Sequence, residues 1–160
     1  MARAVRTFTG EVLGDWGDYN NHLNEGYYGV VFGNASDGLL DLLGFSAEYR
    51  EDVGGTFYTV DTHTAFESEI AIGEPIVVDT ILLGADAKRL HYWHELRVDG
   101  SDERKATQEG LMLHVDIDPV KVSAMSDELV EAAANLAAGH AELRERVAFG
   151  RTIREVGASA

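Results

Sequence analysis

Asp18-Tyr19-Asn20-Asn21-His22-Leu23-Asn24-Glu25-Gly26-Tyr27-Tyr28 is the stretch that decides the fold. Asp18, Asn20, His22 and Asn24 fall at every second position, and a long apolar periodicity follows at once. Tyr28, Phe32, Ala35, Leu39 and Leu42 recur at three- and four-residue steps. That spacing predicts a helix from about Glu25 to Leu43 with one apolar face. Gly44 is a plausible terminator. The polar run is therefore a loop leading into a helix N-terminus, where backbone N–H groups point outward and favour negative charge. A base beside an anion-stabilising end suits hydrolysis of an acyl compound.

Gly26, Gly29, Gly33 and Gly38 lie within this helix. Each costs about 0.8–1 kcal/mol relative to alanine in a helix interior. Such a helix makes sense packed closely inside a curved sheet, where missing side chains allow near approach.

Before this loop, Val5 to Val12 reads as a first strand ending in the Gly14-Asp15-Trp16-Gly17 turn. Gly54-Gly55 opens a run of strands: Thr56 to Phe66, Pro75 to Leu83, Leu90 to Val98 and Lys105 to Val115. Leu90, Tyr92, His94, Leu96 and Val98 share one face of the third of these, and His91, Trp93, Glu95 and Arg97 the other. Asp99-Gly100 marks a hairpin turn. Ser126 suits the N-cap of a C-terminal helix over about 126–147, with a weak stripe of Leu129, Ala133, Leu136 and Leu143. The tail after Gly150 is expected to be mobile.

The 160 residues suit one domain, with its core over about 5–118. There is no cysteine, which removes disulfides, thiolate metal sites and cysteine nucleophiles. The formal net charge is −15, and lysine occurs only at 88, 105 and 121. A nucleic acid or an anionic membrane is a poor partner for such a surface. The acidity reads first as a solubility feature and only second as attraction of a cation. No long apolar run follows the N-terminus, so neither a signal peptide nor a membrane helix is expected, and a cytoplasmic location follows.

Competing constellations fail. His91 and His94 differ by three positions, so in a strand they face opposite sides and cannot chelate one metal. Gly44-Phe45-Ser46-Ala47-Glu48 lacks the second glycine of a nucleophile elbow. No phosphate-binding glycine fingerprint is present.

Strand, Asp-containing loop, glycine-bearing helix and four-stranded meander together resemble the hotdog fold of acyl-CoA and acyl-carrier thioesterases. The resemblance covers about Thr7 to Asp118. Its specific part is Asp18-x-Asn20-x-His22-x-Asn24 with Tyr28 ten residues after the aspartate, and Gly73-Glu74-Pro75 resembles the family's turn before its third strand. A narrower likeness, to betainyl-CoA thioesterases alone or fused to L-carnitine dehydrogenase, rests on Phe57-Tyr58-Thr59-Val60-Asp61-Thr62-His63, on Gly84 to His91 and on His94.

The resemblance implies an α+β hotdog domain, a curved antiparallel sheet around a long helix. It implies hydrolysis of an acyl-CoA thioester without cofactor or metal, in a homodimer or homotetramer. Asp18 would attack the thioester or activate water, and its alternative is a turn aspartate binding its own backbone. His22 would orient Asp18 or assist the leaving thiolate, and Asn20 would position water or the carboxylate. Asn24 is also an ordinary N-cap. The backbone N–H near Glu25 would polarise the carbonyl. Trp16, Tyr28, Tyr58 and Trp93 are candidates for holding the acyl group, and a trimethylammonium head would need ring faces and carboxylates. Asp61 and His63 share a strand face. Lys88 and Arg89 could meet CoA phosphates or form a solvated turn.

Three further readings stand beside this one. The first is a thioesterase for another short or medium acyl chain. The second is a hotdog enoyl-CoA hydratase, from whose Asp-x-Asn-Pro-x-His pattern Asn21 and the early His22 depart. The third is a non-catalytic acyl-CoA-binding module.

Overall fold

The computed structural model describes residues 2–153. Six strands run β1 (Val5–Glu11), β2 (Gly55–Phe66), β3 (Pro75–Ala85), β4 (Arg89–Val98), β5 (Arg104–Ile117) and β6 (Val120–Val122). Four helices are α1 (Glu25–Leu43), α2 (Ala47–Val53), α3 (Asp127–Gly139) and α4 (Ala141–Arg144). The sheet order is β1-β3-β4-β5-β2, every pair antiparallel, with β6 on the end of β5. This is the expected α+β architecture.

The apolar periodicity of α1 sets the layer above the sheet. Tyr28, Val31, Phe32 and Ala35 pack with Ile76, Val78 and Leu96, while Leu39, Leu40 and Leu43 pack with Leu82, Tyr92 and Met112. Leu42 departs from the expected stripe and is 49% exposed. Leu43 is buried in its place, because 3.6 residues per turn rotate the buried face by the helix's last turn. Gly44 ends the helix at φ +94. The expected close approach holds at Gly38, where a Cβ would stand 2.0 Å from the Thr7 carbonyl oxygen of β1. At Gly29 and Gly33 a Cβ would meet nothing.

Strand β6, the helix α2 and the C-terminal helix differ from the sequence reading. The helix α2, capped by Ser46 accepting from the Tyr49 N–H, buries no residue, so it carries no apolar period. The C-terminal helix does not run unbroken to 147. It stops at His140, whose Nδ1 accepts from the Leu82 N–H at 3.0 Å and whose Nε2 lies 3.2 Å from the Arg3 carbonyl oxygen. Strand β3 extends past the start of β1, and this imidazole satisfies an edge amide that would otherwise be orphaned. The chain then crosses to the outer sheet face, where Leu143, Val147 and Phe149 cover Ile81, Leu83 and Trp93.

Candidate active site

The loop before α1 is fixed by its own backbone. Asp18 N–H donates to the His22 carbonyl at 2.8 Å, and Asn21 N–H to the Asp18 carbonyl at 3.1 Å. Asn21 takes a left-handed conformation at φ +61, which asparagine tolerates. Leu23 N–H donates to Ile70, Ile72 N–H to Asn21 and Asn24 N–H to Trp16, so the loop is pinned to the 70–72 segment.

This geometry orients the Asp18 carboxylate. Oδ1 accepts from the N–H groups of Asn20 at 2.8 Å and His22 at 3.1 Å. The His22 amide bond, followed by that of Asn20, the nearby His22 ring and the Asn20 side chain, holds the carboxyl below the usual aspartate range. Asp18 is therefore ionised at neutral pH. The bonds of the turn-aspartate reading are present: they occupy Oδ1 and keep the group charged.

Asn24 is the N-cap, its Oδ1 accepting from Gly26 N–H at 3.0 Å, while Tyr27 N–H donates to the Asn24 carbonyl at 2.9 Å. Of the first three helical N–H groups only that of Glu25 lacks a partner among the described residues. It is the one of these three donors left free.

Asp18, His22, Leu23, Glu25 and Tyr28 line an open pocket of about 360 Å³ with Phe66, Glu67, Ser68 and Glu69. Tyr28 is 4% exposed and its ring meets Phe66 edge-on at 5.0 Å. Burial raises its phenol above the ordinary value, and the charges of Glu69 and Asp18 raise it further. The hydroxyl stays protonated. Arg104 neutralises Glu67 at 2.7 Å. The segment Phe66-Glu67-Ser68-Glu69 is the part of the site that sequence reading missed. It reads only as a strand end, and the Leu23–Ile70 bond brings it under the start of α1.

The remaining expected residues lie elsewhere. Trp16 stacks on Tyr27, centroids 5.9 Å apart, and supports the loop. Tyr58 is half-exposed on β2, the edge strand. Trp93 requires correction: it faces the sheet side away from α1, is 4% exposed, and donates from Nε1 to Glu95 at 3.2 Å. It is not in the Asp18 pocket. The strand alternation that puts His94 under α1 necessarily puts Trp93 outside. Arg89 is tied to Asp86, Nε to Oδ2 at 2.7 Å, and Asp86 also accepts from the Lys88 and Arg89 amides, as a closed turn does. That turn follows the end of β3, whereas Asp18 lies near its start. Eleven residues of strand, roughly 36 Å, separate the two within a protomer.

A larger cavity of about 850 Å³ opens on the outer face, lined by Asp61, His63, Arg89, His91, Glu109 and Ile153 among others. It contains neither Asp18 nor a helix N-terminus, so size does not make it the reaction site. Among the described residues no group of three or more His, Asp or Glu is placed to hold a metal ion. No described helix is long and apolar enough to cross a membrane.

An ionised carboxylate shares its pocket with the residue that carries a free helix-start N–H, under an antiparallel sheet, and comparison with known proteins gives the family. The family model of the thioesterase-like superfamily matches residues 12–133, and the chain belongs to that family. A betainyl-CoA thioesterase of Pseudomonas aeruginosa is 34% identical over 153 residues, covering 96% of each chain. An L-carnitine dehydrogenase/betainyl-CoA thioesterase of Rhizobium sp is 34% identical over 94% of this chain, which spans 30% of that larger protein. Among solved structures, a candidate thioesterase of Pseudomonas putida KT2440 superposes with TM-score 0.83 at 31% identity, covering 96% of this chain and 98% of the other.

Proposed function

We propose that this protein hydrolyses betainyl-CoA to glycine betaine and CoA, a reaction of carnitine degradation. Water supplies OH to the acyl carbon and a proton to the leaving thiolate. Glu25 N–H polarises the thioester oxygen, a contact whose loss commonly costs ~2.7–4 kcal/mol of barrier. Asp18 acts on the carbonyl carbon, directly or through water, and Asn20 and His22 hold its carboxylate. The proposal is carried by the ionised Asp18 sharing a pocket with the start of α1. The near full-length likeness to a betainyl-CoA thioesterase supports the choice of acyl group.

The working unit in this proposal is a homodimer. Strand β2 presents a 12-residue edge with Tyr58, Val60 and Phe66 at 45–54% exposure, a liability that pairing with a second copy removes. Antiparallel pairing would bring one copy's Tyr58 and Lys88 toward the other copy's Asp18. CoA contacts at Lys88 and Arg89 are therefore proposed only across that interface.

The experiment mixes purified protein with betainyl-, acetyl-, benzoyl- and crotonyl-CoA and follows thiol release and enoyl absorbance. Thiol release with betainyl-CoA well above the others is expected. Hydration of crotonyl-CoA without thiol release would overturn the reaction class, and a first turnover in ¹⁸O water would label Asp18 only if its carboxylate attacks directly.

A further inference from the structure

The pocket in front of Asp18 carries more negative charge than the chemistry needs. Glu25 opens α1 and Glu69 follows β2, and both line the cavity with Asp18. Glu67 lines it too, but Arg104 neutralises that carboxylate. Neither Glu25 nor Glu69 has an ionic partner or a side-chain hydrogen bond among the described residues, and both are exposed. Three like charges around one cleft repel each other and the phosphates of CoA, so the pocket suits the acyl end of the substrate and not its nucleotide.

The buried wall between these carboxylates is Tyr28. Its residue is 4% exposed, it lines the pocket, and its hydroxyl has no hydrogen-bond partner among the described residues. With Phe66 it forms an edge-to-face aromatic pair on the cavity wall. A neutral alkyl group would gain nothing from the two carboxylates. A fixed cation without hydrogen-bond donors gains from both the charges and the rings.

Distance sharpens the choice. In a betainyl group a single methylene separates the carbonyl carbon from the quaternary nitrogen. The cation must then sit in the same pocket as Asp18. Glu25, Glu69, Tyr28 and Phe66 meet that condition, whereas Asp61 and Trp93 lie on the outer sheet face.

We infer that Glu69 and Glu25, backed by Tyr28 and Phe66, grip the cationic head of the acyl group and set the preference for a quaternary ammonium over a neutral group of the same shape. This rests on the cationic-acyl reading of the proposed function and assigns the residues that enforce it.

The test compares betainyl-CoA with 3,3-dimethylbutanoyl-CoA, in which carbon replaces the nitrogen. The wild-type enzyme is expected to favour betainyl-CoA in kcat/KM by about a hundredfold or more. Glu69→Gln should cut that ratio at least about tenfold, mainly through the KM for betainyl-CoA, and Glu25→Gln should cut it in the same direction. Added salt should raise the betainyl-CoA KM more steeply in the wild type than in Glu69→Gln. A wild type without preference for the charged acyl group would overturn the proposed substrate and this inference together. A wild type with the preference, retained in both variants, would overturn this inference alone.

Discussion

At the scale of single residues, Asp18 is set by backbone amides that lie within four positions of it in sequence. Its oxygen Oδ1 accepts from Asn20 and His22, and asparagine at position 18 could accept the same two bonds. Asp18→Asn is therefore expected to keep the fold and lose about 10²–10⁴-fold in kcat, checked by thiol release beside circular dichroism. Near-normal turnover would remove Asp18 from the reaction. Trp93 behaves differently. It packs with Ile81 and Leu83 under Leu143, Val147 and Phe149, so Trp93→Ala should cost about 3–5 kcal/mol in urea unfolding and alter charged and neutral substrates equally. The alternating motif made Asp18 legible because its partners are local. Glu69 was not legible, because nothing near it in sequence connects it to the start of α1.

At the scale of elements, α1 and β1 meet through a missing side chain. A Cβ at Gly38 would sit 2.0 Å from the Thr7 carbonyl oxygen, which is backbone and cannot swing aside. Gly38→Ala should therefore destabilise the protein by about 1–3 kcal/mol despite alanine's better helix propensity, read as a lowered midpoint in urea. A stabilised variant would show that α1 shifts at no cost. The bounds of α1 were readable because a period of 3.6, an Asn cap and a terminal glycine all agree. The short α2 shows no such period because none of its residues is fully buried and only Tyr49 packs on the core. The break at His140 was hidden too, since the reason for it is an amide of β3 almost sixty residues away.

At the scale of the whole molecule, a polar line runs through the core beneath α1. His94 is fully buried, Nδ1 at 2.7 Å from Thr80 Oγ1 and Nε2 at 3.1 Å from Ser36 Oγ, with Thr7 Oγ1 2.6 Å beyond Thr80. Phe32 and Tyr92 flank the ring. Desolvation pushes its pKa down to about 3. The native state thus keeps His94 neutral at pH values where the unfolded chain protonates it, near 6.5. Its effect on stability is absent above that value and grows as pH falls from 6.5 toward 3, at up to about 1.4 kcal/mol per pH unit. Buried His114 and His140 are shifted down by burial in the same sense. Between pH 6.5 and 5 the wild type should lose about 2 kcal/mol more than His94→Asn, measured by urea midpoints at each pH. Equal losses would show that His94 is not held neutral.

Local spacing carries the five long strands, the central helix with its cap, the strand alternation and the Asp18 loop, but not α2, β6 or the break at His140. Each feature so carried depends on periodicity or on hydrogen bonds between near neighbours. Strand pairing and packing decide which side chains meet Asp18, that Trp93 is turned away from it, and that the second half of the pocket comes from the end of β2. Those outcomes depend on how strands pair and which sheet face a helix covers, and such long-range contacts leave no local pattern to read.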